Sequence, residues 1–289
     1  MRLVRYGNGR IGVLCNEIVY DATIAVGVDP KAWPPVGMVQ LIENFNALRP
    51  KLESVVASPG IPLAQVQLEV PLLWPNKLIA YPANYLAHAI EFNSPNRADR
   101  NGFFLKANSS LSGPQDPIIL PDLPEREIHH ECELAIIIGK VARHIGTSEA
   151  LDYVFGYTCL IDVTVRGKEE RVMRKSYDTF CPIGPALVTA DEVGDPGALD
   201  LKLWVNDELR QHANTRDLIV DVPNMISLAS SVSTLYPGDV IASGTPAGVG
   251  PIKHGDIVTI EIERVGRMSV PVEQGQGGNN LAMRKGGNP

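Results

Sequence analysis

Beyond Trp74 the chain alternates short apolar runs with clusters of turn residues: Lys77–Tyr81, Gly102–Lys106, Pro117–Leu120, a run through residues 127–140, Val154–Val163, Pro185–Thr189, Leu199–Val205, Asp239–Ser243 and Asp256–Glu263. Runs of this length between Gly, Pro and Asn read as strands, so a β-rich core is predicted. Helical spacing is rarer. It is expected after Thr147, over about Val222–Leu235, and in a short piece around Asn84–Phe92. Ahead of this body, residues 2–21 read as short strands broken by turns at Gly7-Asn8-Gly9 and Cys15-Asn16-Glu17. Val39–Leu48 follows as a helix, with Leu41, Ile42, Phe45 and Leu48 on one stripe and Pro50 expected to stop it. Pro59, Pro62, Pro71 and Pro75 favour an extended connector over Ser58–Pro75. The pattern divides the chain into a small N-terminal α+β domain (1–70), a β-rich main domain (71–272) and a polar, Gly-rich tail (273–289). The tail is expected to be mobile, or ordered only against a neighbour.

Within this pattern one run stands out, EIHHECELAIIIGK at 127–140. In a strand, residues i and i+2 share a face, so Glu131 and Glu133 stand side by side where like charges repel. On a surface strand, water would screen them at little cost. Here Ile128, His130, Cys132 and Leu134 fill the opposite face, and Ala135 and Ile137 continue the glutamate face, which makes the strand a buried one. Two carboxylates at its mouth suit a hard divalent cation, which takes oxygen ligands. Asp162 lies in a second apolar run beginning at Val154, where an unpartnered charge costs several kcal/mol. It is therefore either metal-bound or paired, and Arg166 alone could pair it.

Composition narrows the function classes. The 289 residues are 44% hydrophobic and 20% charged, an ordinary globular balance. A net charge of −7 and no basic run argue against a nucleic-acid partner. Cys15, Cys132, Cys159 and Cys181 are far apart and form no CxxC, so neither a zinc site nor a disulfide framework is indicated. The N-terminus lacks the apolar stretch of a signal peptide, and no run is long enough to span a bilayer, so a cytoplasmic protein without a membrane partner is expected.

Six motifs then occur in a recognisable order: NYLAHAIE at 84–91, FFLKANSSLSGPQDPIILP at 103–121, ECELAIIIGK at 131–140, IDVTVRG at 161–167, KSYDTFCPIGP at 175–185 and ASGTPAGVG at 242–250, with NDELRQHANTRDLIVDVPNMI at 206–226 beside them. From Lys77 to Arg267 the chain resembles the fumarylacetoacetate hydrolase family. The resemblance implies a mixed β-sandwich roll and Mg²⁺ or Mn²⁺ held by three carboxylates, which map onto Glu131, Glu133 and Asp162. It also implies a small-molecule substrate with a 2-oxo or 1,3-dioxo acid unit, and a homodimer. By the same resemblance His88 and Glu91 form a His-x-x-Glu pair on a short lid helix, where Glu91 fixes the imidazole and His88 acts as the base. Lys175 matches a lysine that reaches the substrate's oxygens. Tyr85, Lys106, Arg166 and Thr245 complete the implied substrate site, Lys106 from behind it and Thr245 in a turn of small residues that lets backbone and hydroxyl approach a carboxylate.

The chain departs from the family pattern after Asp162. Gly167 stands in place of an acid, Glu169 in place of an amide, and Lys175 follows sooner. An ionised carboxylate can only accept a hydrogen bond, so Glu169 pointing inward would oppose hydrolysis, whereas a shortened loop could carry it elsewhere. Tyr81-Pro82-Ala83 also replaces a glycine-containing approach to the lid, which stiffens the hinge or changes the pocket lining. The leading expectation is a metal-dependent hydrolase cleaving a C–C bond in an acylpyruvate or related 1,3-dioxo acid through a metal-stabilised enolate. Oxaloacetate decarboxylation or 2-oxo-dienoate isomerisation on the same site is the alternative, and an inactive binding protein with this fold is a third.

Overall fold

A computed structural model describes residues 1–275, apart from residues 94, 96 and 124. A large twelve-stranded sheet organises it, in the order Ile61–Pro62, Ile18–Asp21, Arg10–Cys15, Arg2–Tyr6, Cys181–Thr189, Val154–Ile161, Cys132–Ile138, Val240–Ala242, Leu78–Ala80 and Phe104–Lys106. Leu68–Glu69 and Leu111–Ser112 pair at its side. The N-terminal strands join the sheet directly, Arg2–Tyr6 pairing antiparallel with Cys181–Thr189. A five-stranded sheet (Glu208–Asn214, Asp200–Val205, Ile257–Ile262, Gly266–Gln274, Ile118–Leu120) lies against the large one, and a three-stranded sheet (Thr164–Val165, Ile128–His130, Gly250–Pro251) stands beside the site. This is the β-rich α+β sandwich roll the resemblance implied.

Period-two alternation explains why strand Cys132–Ile138 is buried at every position. Cys132, Leu134, Ile136 and Ile138 enter one core with Leu201, Leu203, Val258 and Ile260 of the five-stranded sheet. Ala135 and Ile137 enter another, beneath Met38, Leu41, Ile42 and Leu52. The strand is thus a wall between two apolar layers. Among the described residues no helix is long and apolar enough to cross a membrane.

Several local expectations are corrected. The Val39–Leu48 helix is two helices, Gly37–Glu43 and Phe45–Ser54, and Pro50 lies inside the second. The break falls at Asn44 instead, whose side-chain amide donates to Gln40 O at 2.9 Å. Pro50 costs only the bond to a carbonyl in the first turn, and packing of Phe45, Leu48 and Leu52 holds the helix. The helix expected after Thr147 is a single 3-10 turn, Ala150–Tyr153. Strands Glu208–Asn214 and Gly266–Gln274 were not anticipated, because polar residues dominate their outer faces. Glu273 and Gln274 pair with Ile119 and Leu120. The tail beyond residue 275 lies outside the described residues.

Candidate active site

Strand register assembles the acids. Cys132 lies opposite Ile161 and Glu133 opposite Leu160, which brings Glu131 opposite Asp162, and the Asp162 N–H donates to Glu131 O at 2.8 Å. Directly opposed residues share a face of an antiparallel pair, so Glu131, Glu133 and Asp162 project together. One oxygen of each lies within 4.8 Å of the others, and all three residues are buried.

Two lysines answer this charge from different sides. Lys175 Nζ donates to Glu131 Oε2 and to Asp162 Oδ2, 2.7 Å each. Lys106, buried behind the acids, bonds Asp162 and the Phe180 carbonyl. The Asp162 partner weighed from sequence, Arg166, turns to Glu131 instead, at 3.1 Å. Burial alone would raise the Glu131 carboxyl, but Lys175, Arg166 and His88 overcome it and hold the group well below the usual range. Glu133 moves the other way: burial first, then the charges of Asp162 and Glu131, push it well above the ordinary carboxylate value against the pull of Lys175. Its Oε2 accepts the Gly244 N–H at 2.8 Å. A lone buried carboxylate driven toward protonation by two neighbouring acids is the member a divalent cation would satisfy. The all-oxygen donor set fits Mg²⁺ or Mn²⁺.

Gly244 is required there. Its φ is +86°, and a Cβ would fall 2.7 Å from Asn84 Cβ and 2.8 Å from Tyr81 O. Thr245 follows, with its Oγ1 accepting from Gln211 Nε2 at 2.8 Å, so its own hydroxyl proton remains available to a ligand. Asn84, fully buried, donates to Val220 O and Ser243 O and accepts from Val220 N, and so clamps the base of the next helix.

That helix, Leu86–Glu91, carries His88. His88 Nδ1 lies 3.0 Å from Glu91 Oε2, and Glu91 Oε1 accepts the Gly248 N–H at 3.0 Å. An ionised carboxylate only accepts, which assigns the proton to Nδ1 and leaves Nε2 as the basic nitrogen. Just past the helix, the Phe92 ring packs 5.2 Å from the His88 ring and 4.6 Å from the Arg166 guanidinium, tying the helix to the acid-bearing loop.

A cavity of about 460 Å³ opens over these groups. Of the residues singled out from sequence, His88, Glu131, Glu133, Asp162, Arg166, Lys175 and Thr245 line it. Glu91 and Lys106 sit behind its wall, each in contact with a lining residue. Tyr85 is not brought in. Its side chain packs in the core shared with Tyr81 and Met225, and its hydroxyl is buried without a hydrogen-bond partner among the described residues. An extended conformation at the residue before the helix turns it inward. Glu169 also stays out: Arg126 holds both its oxygens, at 2.9 and 2.8 Å. Gly167 makes this possible, since a Cβ there would collide with the Arg126 guanidinium.

Four titratable lining residues were missed from sequence, Glu127, His129, Arg171 and Arg174, as were the rings of Phe92 and Phe104. The first two follow from the period that gave the glutamate pair, since 127, 129, 131 and 133 alternate on one side. His129 Nε2 pairs with Glu127 Oε2 at 2.9 Å. The two arginines lie on the short helix Arg171–Arg174, in the shortened loop, where no periodicity marks them.

A β-sandwich roll that brings three converging carboxylates, Lys175 and His88 into one cavity, with Lys106 and Glu91 behind its wall, defines a metal-assisted enzyme. The sequence model described as "Fumarylacetoacetate (FAA) hydrolase C-terminal" matches residues 77–273, and the chain belongs to the fumarylacetoacetate hydrolase family. It is 44% identical over 285 residues to maleylpyruvate hydrolase of Aquipseudomonas alcaligenes, covering 94% of this chain and 99% of that one. It is 36% identical over 275 residues to the human mitochondrial oxaloacetate tautomerase FAHD2B, covering 90% and 83%. Among solved structures, maleylpyruvate hydrolase from Sphingobium sp. SYK-6 in complex with manganese (II) ion and pyruvate superposes with a TM-score of 0.89 at 54% identity, covering 96% of this chain and all of that one.

Proposed function

We propose that this protein is a Mg²⁺- or Mn²⁺-dependent hydrolase that cleaves the C–C bond of an acylpyruvate or related 1,3-dioxo acid. The observation that carries the reading is the convergence of Glu131, Glu133 and Asp162 to within 4.8 Å under a cavity also lined by His88 and Lys175. The similarity to maleylpyruvate hydrolases supports it.

Glu131, Glu133 and Asp162 would hold the cation, which would supply Lewis acidity to the substrate. His88 Nε2 takes the proton of the attacking water, while Glu91 keeps the imidazole oriented. Lys175 spends two N–H bonds on Glu131 and Asp162; its third is free to stabilise negative charge developing on the substrate. The Thr245 hydroxyl donates to the pyruvyl carboxylate, and Arg166, which also lines the cavity, supports it. Lys106 fixes Asp162 from behind. Water adds to the acyl carbonyl, the C–C bond breaks with its electron pair passing to the pyruvyl carbon, the proton held by His88 is delivered to that carbon, and pyruvate and a new carboxylic acid leave. A chelator should abolish turnover of a 2,4-dioxo acid and Mn²⁺ or Mg²⁺ should restore it, while Glu131→Ala and Asp162→Ala should not be restored. Activity surviving both treatments would sink the reading.

A second reading, tautomerisation or decarboxylation on the same site, is favoured by the similarity to oxaloacetate tautomerases. The inward Glu169 that would have supported it is absent from the cavity lining. On the resemblance to the family and to bacterial maleylpyruvate hydrolase we extend the reading to a cytoplasmic homodimer, and on the net charge of −7 and the apolar pattern to one with neither nucleic-acid nor membrane partners.

A further inference from the structure

Four cations, Arg166, Arg171, Arg174 and Lys175, line the cavity together with four carboxylates, Glu127, Glu131, Glu133 and Asp162. Three of the carboxylates are already paired, and Glu133, which accepts only the Gly244 N–H, is left for the cation. Glu127 pairs with His129, Glu131 with Lys175 and Arg166, and Asp162 with both lysines. Two of the arginines are not neutralised. Arg174 spends its guanidinium on neutral partners, donating to Glu169 O at 2.8 Å and Val165 O at 3.1 Å. Arg171 has no hydrogen bond or ion pair among the described residues; its guanidinium rests on the Phe104 ring, with Cζ 5.3 Å from the centroid.

A half-buried guanidinium held on an aromatic face at the cavity wall, with no acid paired to it among the described residues, is placed to receive a ligand anion. Burial indeed lowers the Arg171 pKa below its usual value, against the pull of Glu131, Asp162 and Glu170. Once a divalent cation balances two of the three clustered acids, a substrate with one carboxylate still leaves the cavity positive. The chemistry that completes it is a second carboxylate, which a planar guanidinium binds through two parallel N–H bonds. Arg171 opens the helix that Lys175 caps, about one turn away, and both line the cavity.

Resting on the hydrolase reading above, we infer that Arg171 is a specificity determinant that binds a second carboxylate at the end of the acyl group, so that the enzyme selects dicarboxylic acylpyruvates over monocarboxylic ones. Neither the carboxylate triad nor the lid helix supplies this discrimination.

Binding of two 2-oxo acids of equal length, 2-oxohexanedioate and 2-oxohexanoate, to the full-length Mn²⁺-loaded protein by calorimetry tests this without turnover. Wild type should prefer the dioate by at least about tenfold, and Arg171→Gln should weaken the dioate about 30-fold while shifting the monoacid by less than about twofold. Arg171→Lys should fall between, because a point charge lacks the fork. Unchanged monoacid binding also shows that the variants fold. Equal wild-type affinity for the two acids, or an equal loss on both in Arg171→Gln, overturns the assignment. Failure of the hydrolase reading shows separately, as dioate selectivity without cleavage of any acylpyruvate. Binding of neither acid overturns both.

Discussion

Arg126 grips Glu169 through two parallel hydrogen bonds, Nη1 to Oε1 at 2.9 Å and Nη2 to Oε2 at 2.8 Å. Arg126 also donates Nε to Arg166 O at 2.7 Å, so one guanidinium pins the loop that follows Asp162 at two points, Arg166 and Glu169. The glutamate that breaks the family pattern is therefore a fastening of that loop, drawn away from the reacting atoms. It leaves the short helix Arg171–Arg174 and Lys175 positioned over the acids.

A stability prediction with a definite pH sign follows. The Arg126 hydrogen bonds hold the Glu169 carboxyl down at about 2, against an ordinary value of 4.5. A depressed acid stabilises the fold above its unfolded pKa and loses that contribution as pH falls toward the folded one. Glu169→Gln should lower stability by about 1 kcal/mol at pH 6, and the gap to wild type in urea midpoint should shrink as pH falls below about 4.5. Turnover should stay within about threefold of wild type, since no proton transfer involves this group. A loss of about a hundredfold at pH 7 would return Glu169 to the chemistry.

The His88–Glu91 pair separates into base and orienter. His88→Ala should cut kcat by about 10²–10⁴ with little change in the affinity for oxalate. Glu91→Gln keeps a partner for Nδ1 but weakens it, and should cost about tenfold in kcat. Steady-state kinetics beside oxalate titration checks both. An equal loss of oxalate binding in His88→Ala would mark the histidine as a binding group instead.

Lys106 is a buried charge whose removal leaves Asp162 with Lys175 as its remaining cationic partner among the described residues. Lys106→Met should destabilise the metal-free protein by about 3–5 kcal/mol. Saturating Mn²⁺ should recover part of that loss, because the ion answers the same carboxylate and binds only the folded chain. Thermal melts with and without Mn²⁺ measure this. A Lys106→Met protein as stable as wild type without metal would show that Lys175 alone answers the Asp162 charge.

Much of this site was legible in the chain because it rests on strand periodicity. Glu131 and Glu133 share a face by alternation, and the apolar residues of Cys132–Ile138 divide between two cores as that alternation requires. The i,i+3 spacing of His88 and Glu91 likewise became a hydrogen bond. What escaped depended on loops and distant partners. Arg171 and Arg174 sit in a segment without period, and the role of Glu169 depended on Arg126, 43 residues away. Tyr85 stands near the lid motif in sequence, yet its ring turned to the core because Asn84 clamps the chain just before it. Pro50 shows the same limit from the other side, since helix packing outweighed a local breaker.

The most direct measurement is the fate of water oxygen during turnover of an acylpyruvate in ¹⁸O-labelled water by the Mn²⁺-loaded protein. Hydrolysis through the His88 base requires pyruvate as one product and at least one ¹⁸O atom in the newly formed carboxylate of the other, with both lost on chelation. A product carrying no new carboxylate, or one that is only an isomer or a decarboxylated form of the substrate, would contradict C–C hydrolysis at the Glu131–Glu133–Asp162 site.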